Sequence, residues 1–278
     1  MNRRDSVYAA LNHEETRPIP YHIEFTGQSL ERMVRATGKS AAEVEESVGS
    51  YLNYAQYWGW PTEMPDRPDH FKDEFGVVWN RRVDKDIGVV EDPQIKDLEE
   101  DSYQFPNPDI PRLRRDIENL LAARGDRFTF MGFGFCMFER CWSLMGMENV
   151  LTSMISCPGE LEALFDRICD YYTALVDIAL EYDVDGIYFG DDWGQQKGLI
   201  MGPEKWRRFI KPRMARLYQR VKAKGKYVIQ HSCGDCSDIL ADLVEIGLDC
   251  YQTFQPEIYD IEAAKRLYGD KLAFWGGV

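Results

Sequence analysis

His231-Ser-Cys233 places an imidazole and a thiol two residues apart. Neutral imidazole and thiolate are both good zinc ligands, so the pair suits that ion. A structural reading competes, because a buried cysteine is often only a small hydrophobe. Asp191-Asp192 is the second constellation, two carboxylates where a buried strand, Val184 to Gly190, should end. They could supply a metal ligand, a general acid/base or an anchor for substrate N–H groups. Alternatively, one of them caps the segment that follows.

Gly132-Phe-Gly134 follows another strand. A dinucleotide loop fails there, because Met137 stands where the third glycine should be. Gly132 and Gly134 are instead expected to leave room for a ligand or for a close backbone approach. Glu139 and Arg140, which open the next helix, are either a surface pair or part of a pocket. Gln252 also follows a strand end, and it joins the candidate substrate-binding residues. His22 could line a pocket, although a lone histidine in a strand is more often structural.

The elements that must position these groups follow from periodicity. Tyr227 to Gln230 is a short β-prone run between a helix stopping at Gly225 and helix-prone residues near Ser237. Strand, polar turn and helix in that order put the reactive side chains at the carboxyl edge of a parallel sheet, where α/β active sites sit. Further strands are expected at Arg127 to Gly132, Leu248 to Gln252 and Leu272 to Trp275. Helices are expected at Ile110 to Ala123, Pro158 to Tyr182, Ile239 to Ile246 and Ile261 to Tyr268, and at Pro203 to Lys224 with a kink or break at Pro212.

Nearer the amino terminus, Arg3 to Leu11, Ser29 to Thr37 and Ala41 to Tyr57 read as helices, and Tyr21 to Phe25 as a strand. Residues 61–108 differ: Asp73 to Asn80 and Val83 to Val90 suggest a β-hairpin or meander, an inserted subdomain or lid. The acidic run Glu91 to Asp101 reads as a solvated loop. The alternation fits a single α/β domain over residues 1–278, a TIM-type (β/α)8 barrel. Because a strand reaches almost to Val278, a last strand and helix are expected to be missing, by truncation or by completion from another segment. An open seam would favour aggregation or a homodimer.

Composition sets limits. The 278 residues carry 33 basic and 47 acidic side chains, a formal charge of -14, which disfavours nucleic acid and anionic membranes. Seven scattered cysteines do not form a disulfide framework. With a polar amino terminus and no apolar span, a reduced, soluble, cytoplasmic protein is expected.

Several stretches resemble the uroporphyrinogen decarboxylase superfamily: Phe138 to Glu148, Asp191-Asp-Trp-Gly194, Lys211-Pro-Arg213, His231-Ser-Cys-Gly234, Gly247-Leu-Asp249 and Phe274 to Gly277. Arg17-Pro18 and Asp73-Glu-Phe-Gly76 match more loosely. The resemblance implies a TIM-type barrel with its active site in the carboxyl-end cleft. Decarboxylases proper carry an arginine-rich amino-terminal loop that grips the substrate's carboxylates. Here the region reads Tyr21-His-Ile-Glu-Phe-Thr-Gly27, so a porphyrinogen would meet Glu24 instead.

The resemblance is nearer to the cobalamin-dependent methyltransferases of the methylcobamide:coenzyme M and O-demethylase type. For those it implies Zn²⁺ on His231 and Cys233, with a third cysteine ligand beyond Val278. Cys236 is not expected to substitute for it. Asp191 or Asp192 would complete the zinc shell or orient the acceptor, and His22 and Glu24 would line the cleft. A methyl-corrinoid on a partner protein would serve as co-substrate, and a small thiol or similar nucleophile as methyl acceptor. Two alternatives accompany this one: a metal-free decarboxylase acting on a tetrapyrrole, and a non-catalytic corrinoid- or tetrapyrrole-binding protein.

Overall fold

The protein is described by a computed structural model over residues 1–85, 87–98 and 102–276. Glu99 to Asp101 of the acidic run, Asp86 of the expected hairpin, and Gly277 and Val278 lie outside the described residues. Six strands form one sheet: β1 Leu52–Tyr57, β2 Phe128–Phe133, β3 Gly186–Gly190, β4 Tyr227–His231, β5 Cys250–Phe254 and β6 Ala273–Gly276. Every neighbouring pair is parallel, and spatial order follows chain order. Helices return the chain between strands, as parallel pairing requires.

The sheet curves as in a TIM-type barrel. Trp275 of β6 brings its ring within 6.2 Å of Phe130 on β2 and 6.4 Å of Tyr188 on β3. Strand side chains alternate between two faces. Tyr54, Phe130, Tyr188, Ile229 and Trp275 gather inside, while Tyr57, Met131, Phe133, Phe189 and Val228 pack outward against helices. The helix Arg3–Leu11 closes the amino end: Val7 and Leu11 join the inner cluster, and Tyr8 Oη donates to Asp185 Oδ1 over 2.7 Å. The opposite, carboxyl end stays open for chemistry. β1 and β6 are not paired with each other among the described residues, so the barrel is not closed.

Two expectations at the amino-terminal side are corrected. Tyr21 to Phe25 forms no strand. Pro18 and Pro20 remove donors just before it, and Tyr51 N to Tyr21 O, 3.1 Å, is the one backbone bond it makes to β1's approach among the described residues. The first barrel strand is instead β1, inside the stretch expected to continue as helix. The helix Ala41–Val48 opens on a Ser40/Glu43 capping box and closes at Gly49, whose φ of 71° is left-handed. The Tyr-rich run after it pairs with β2.

The antiparallel insertion is present as four strands, Thr62–Glu63, His70–Lys72, Val78–Asn80 and Val89–Asp92. It reaches into the acidic run, where Ile95 is buried rather than solvated, its N–H bonded to Leu144 O at 2.8 Å. The stretch Pro203 to Lys224 splits into helices Pro203–Phe209 and Lys211–Ala223, broken where Pro212 demands it. No helix among the described residues is long and apolar enough to cross a membrane.

Candidate metal centre

The chain after β3 and the chain after β4 pack backbone against backbone. Trp193 N donates to Ser232 Oγ at 2.9 Å, Asp235 N to Gln195 O at 2.8 Å and Asp191 N to His231 O at 3.2 Å. Two glycines make this possible. A Cβ on Gly194 would lie 2.6 Å from Cys233 O, and one on Gly234, whose φ is +77°, would lie 2.4 Å from Gly194 C. Gly194→Ala is therefore expected to force the two loops apart and cost about 1–3 kcal/mol of stability. Urea unfolding measures this; an unchanged midpoint would refute the backbone-to-backbone packing.

This packing brings Asp192, His231 and Cys233 together. Their ligand atoms lie within 4.8 Å of one another, the one such group of three among the described residues. His231 Nε2 is 3.3 Å from Asp192 Oδ1 and 3.5 Å from Cys233 Sγ. Cys233 N donates to Asp192 Oδ1 at 2.7 Å. The other ring nitrogen, His231 Nδ1, bonds Gln252 Oε1, which also accepts from Tyr188 Oη at 3.2 Å. That bond assigns the proton to Nδ1 and turns Nε2 toward Asp192 and Cys233, the arrangement found where histidine ligates a metal.

Electrostatics within the group are strong. Burial would lower the pKa of His231, but Asp192 and Cys233 push it up to about 10. Burial would raise Asp192, yet the His231 contact holds it below the usual carboxylate range. His231 and Asp192 thus each favour the other's charged form.

The structure separates the two aspartates. Asp192 is in the cluster; Asp191 is wholly buried and faces away from it. Asp191 accepts from Phe138 N at 2.9 Å and Glu139 N at 2.8 Å, and from Trp193 Nε1. It caps the helix Met137–Met145 from a distant part of the chain. Burial pushes its pKa up to about 7 against those three donors. Both Asp191 oxygens are thus occupied by donors, whereas Asp192 is the carboxylate that lies in the cluster.

The other candidate residues have the following neighbours. Gln252 bonds His231 Nδ1 through its Oε1. The space at Gly132 is filled by Gln56 Cγ, 3.0 Å from a hypothetical Cβ, and by Tyr188. Gly134 admits the Trp58 ring at 3.3 Å, so both glycines serve close packing, and Trp58 becomes the exposed wall above them. His22 lies between the rings of Tyr54 and Trp275, 5.4 and 5.9 Å away. Its Nδ1 meets Ser50 Oγ, and its Nε2 is buried without a partner among the described residues. Burial lowers its pKa. Glu24 lines a cleft beside the barrel mouth. Cys236 is turned inward, its Sγ 3.4 Å from Ser232 Oγ.

Glu139 is the site neighbour that sequence reasoning left undecided. Burial and the nearby Asp192 and Asp191 push its pKa well above the ordinary value. The signal available was its place at the start of a helix following a sheet strand.

Comparison with known proteins adds the following. The family model described as uroporphyrinogen decarboxylase (URO-D) matches residues 81–278. No curated protein matches the chain. Among solved structures, a methyltransferase from Methanosarcina mazei is similar with a TM-score of 0.75 and 18% identity, over 100% of this chain and 83% of that one. At that identity the likeness is one of fold.

Proposed function

The chain belongs to the uroporphyrinogen decarboxylase family, and from that membership we propose that it is a zinc-dependent methyltransferase. It would move a methyl group from a methyl-corrinoid on a partner protein to a thiol or similar acceptor. The observation that carries this reading is the convergence of Asp192, His231 and Cys233 at the carboxyl end of the barrel. The fold shared with a methyltransferase supports it.

One oxygen, one nitrogen and one sulfur donor form a set that zinc accepts with a position left over. The donors fit because Gln252 already holds the His231 ring with Nε2 toward the other two. Bound there, zinc would supply a Lewis acid that keeps a thiol acceptor in its anionic form. The chain's own residues do the rest: Asp192 and Cys233 give negative charge, Asp191 fixes the helix that carries Glu139, and Tyr188 secures Gln252.

A metal-free decarboxylase fits less well. It needs an aspartate free to bond pyrrole N–H groups, whereas Asp191 is consumed by its cap and Asp192 by His231.

Elemental analysis of protein purified without chelators tests the proposal. About one zinc per chain in the native protein, lost in Cys233→Ser together with methyl transfer, is the expected result. Absence of zinc from well-folded native protein would sink it.

A further inference from the structure

A cleft of about 700 Å³ opens between the segment ending at Gly27, the turn after β1 and the antiparallel sheet. That is the size of a site for a small organic molecule. Its lining is aromatic, with Phe25, Trp58, Phe71, Trp79 and Phe135. Trp58 is 47% exposed and offers a ring on which a planar ligand can stack.

Three charged residues line the wall; Asp73 among them is already bonded to Arg140 at 2.7 Å, which leaves Arg81 and Glu24 to define what fits. The Arg81 guanidinium lies over the Phe71 ring, 4.1 Å from its centroid. Stacking uses its face and leaves its edge donors free. Arg81 makes no ion pair and no side-chain hydrogen bond among the described residues, and its Nε is buried without a partner. The two terminal nitrogens are not among the buried atoms, and a carboxylate can be bound two-pronged on them. Glu24, contributed by a different element, lines the same cleft and would repel a second negative group.

We propose that this cleft binds a small planar aromatic monoanion, its ring on Trp58 and its carboxylate on the edge of Arg81. Trp58 and Phe135 follow β1 and β2, so the cleft lies at the same carboxyl end of the sheet as Asp192, His231 and Cys233. A bound anion would lie at the same end of the sheet as that cluster. Its role as methyl donor or acceptor rests on the proposed function, while the binding itself does not.

Calorimetric titration of the full chain tests it, with 2-naphthoate, 2-naphthamide and 2,6-naphthalenedicarboxylate as probes. Naphthoate is expected to bind at least tenfold more tightly than the neutral amide or the dianion. Arg81→Gln should erase the preference for naphthoate over the amide, and Trp58→Ala should weaken both. Cys233→Ser should leave naphthoate affinity unchanged, so failure of the zinc reading and failure of this one give different results. Equal affinity for acid and amide, no effect of Arg81→Gln, or no binding of naphthoate would each overturn the proposal.

Discussion

Replacing His231 with glutamine is expected to weaken zinc binding by roughly 100- to 1,000-fold. Structural zinc sites bind with about 10–16 kcal/mol spread over four ligands, or ~3 kcal/mol for each, and every 1.4 kcal/mol is about tenfold. His22→Gln is the control, because His22 meets Ser50 and two aromatic rings and is not in the cluster.

The His231 pKa adds a pH signature. In the metal-free protein the imidazole is held at about 10 by Asp192 and Cys233, against burial. Below that pH the metal must displace a proton from Nε2. Affinity therefore falls as pH falls, by about tenfold per unit for this proton alone. Competition with a chelator at several values between pH 7 and 9 reads the slope, which should lose one proton's worth in His231→Gln. The same slope in native protein and variant would mean that His231 is not a ligand.

Asp73→Ala is expected to destabilise the protein by about 3–5 kcal/mol, through a different mechanism. Asp73 pairs with Arg140 at 2.7 Å, and their side chains are 3% and 0% exposed. The same carboxylate accepts from Phe75 N and Val77 N, each at 3.0 Å, and from Trp79 Nε1 at 3.2 Å. It thereby ties the antiparallel sheet to the helix that Asp191 caps. Truncation leaves the Arg140 charge buried and uncompensated. Asp73→Ala combined with Arg140→Met removes that charge and should recover part of the loss. Chemical denaturation compares the variants; a loss below 1 kcal/mol for Asp73→Ala would show that the pair does not anchor the sheet.

Much of this architecture was legible in the residues themselves. The parallel strands after residue 127 announce themselves as short apolar runs between amphipathic helices. Pro212 breaks its helix for a reason internal to the residue. His231 and Cys233 are brought near each other by spacing alone, and their place after a strand sends them to the carboxyl end. Family-like motifs added the barrel.

What remained hidden depended on partners far away in the chain. Tyr51 to Tyr57 and Tyr21 to Phe25 both carry aromatics, and local pattern gave the strand to the wrong one. Of these two stretches it is Leu52–Tyr57 that pairs with β2, and pairing, not propensity, decides a strand. Asp191 and Asp192 are chemically identical neighbours. The alternation that continues past Gly190 turns the first toward a helix terminus and the second into the barrel mouth, a distinction that exists only once the helix Met137–Met145 has docked. Arg81 likewise carries no signal in its sequence context; its meaning comes from Phe71 beneath it and the cleft before it. The sequence by itself determined the alternating α/β pattern and the zinc-suited pair. Which carboxylate joins that pair, and what lies beside it, was decided by tertiary packing, because both depend on which distant backbones can approach closely enough to exclude every side chain larger than glycine.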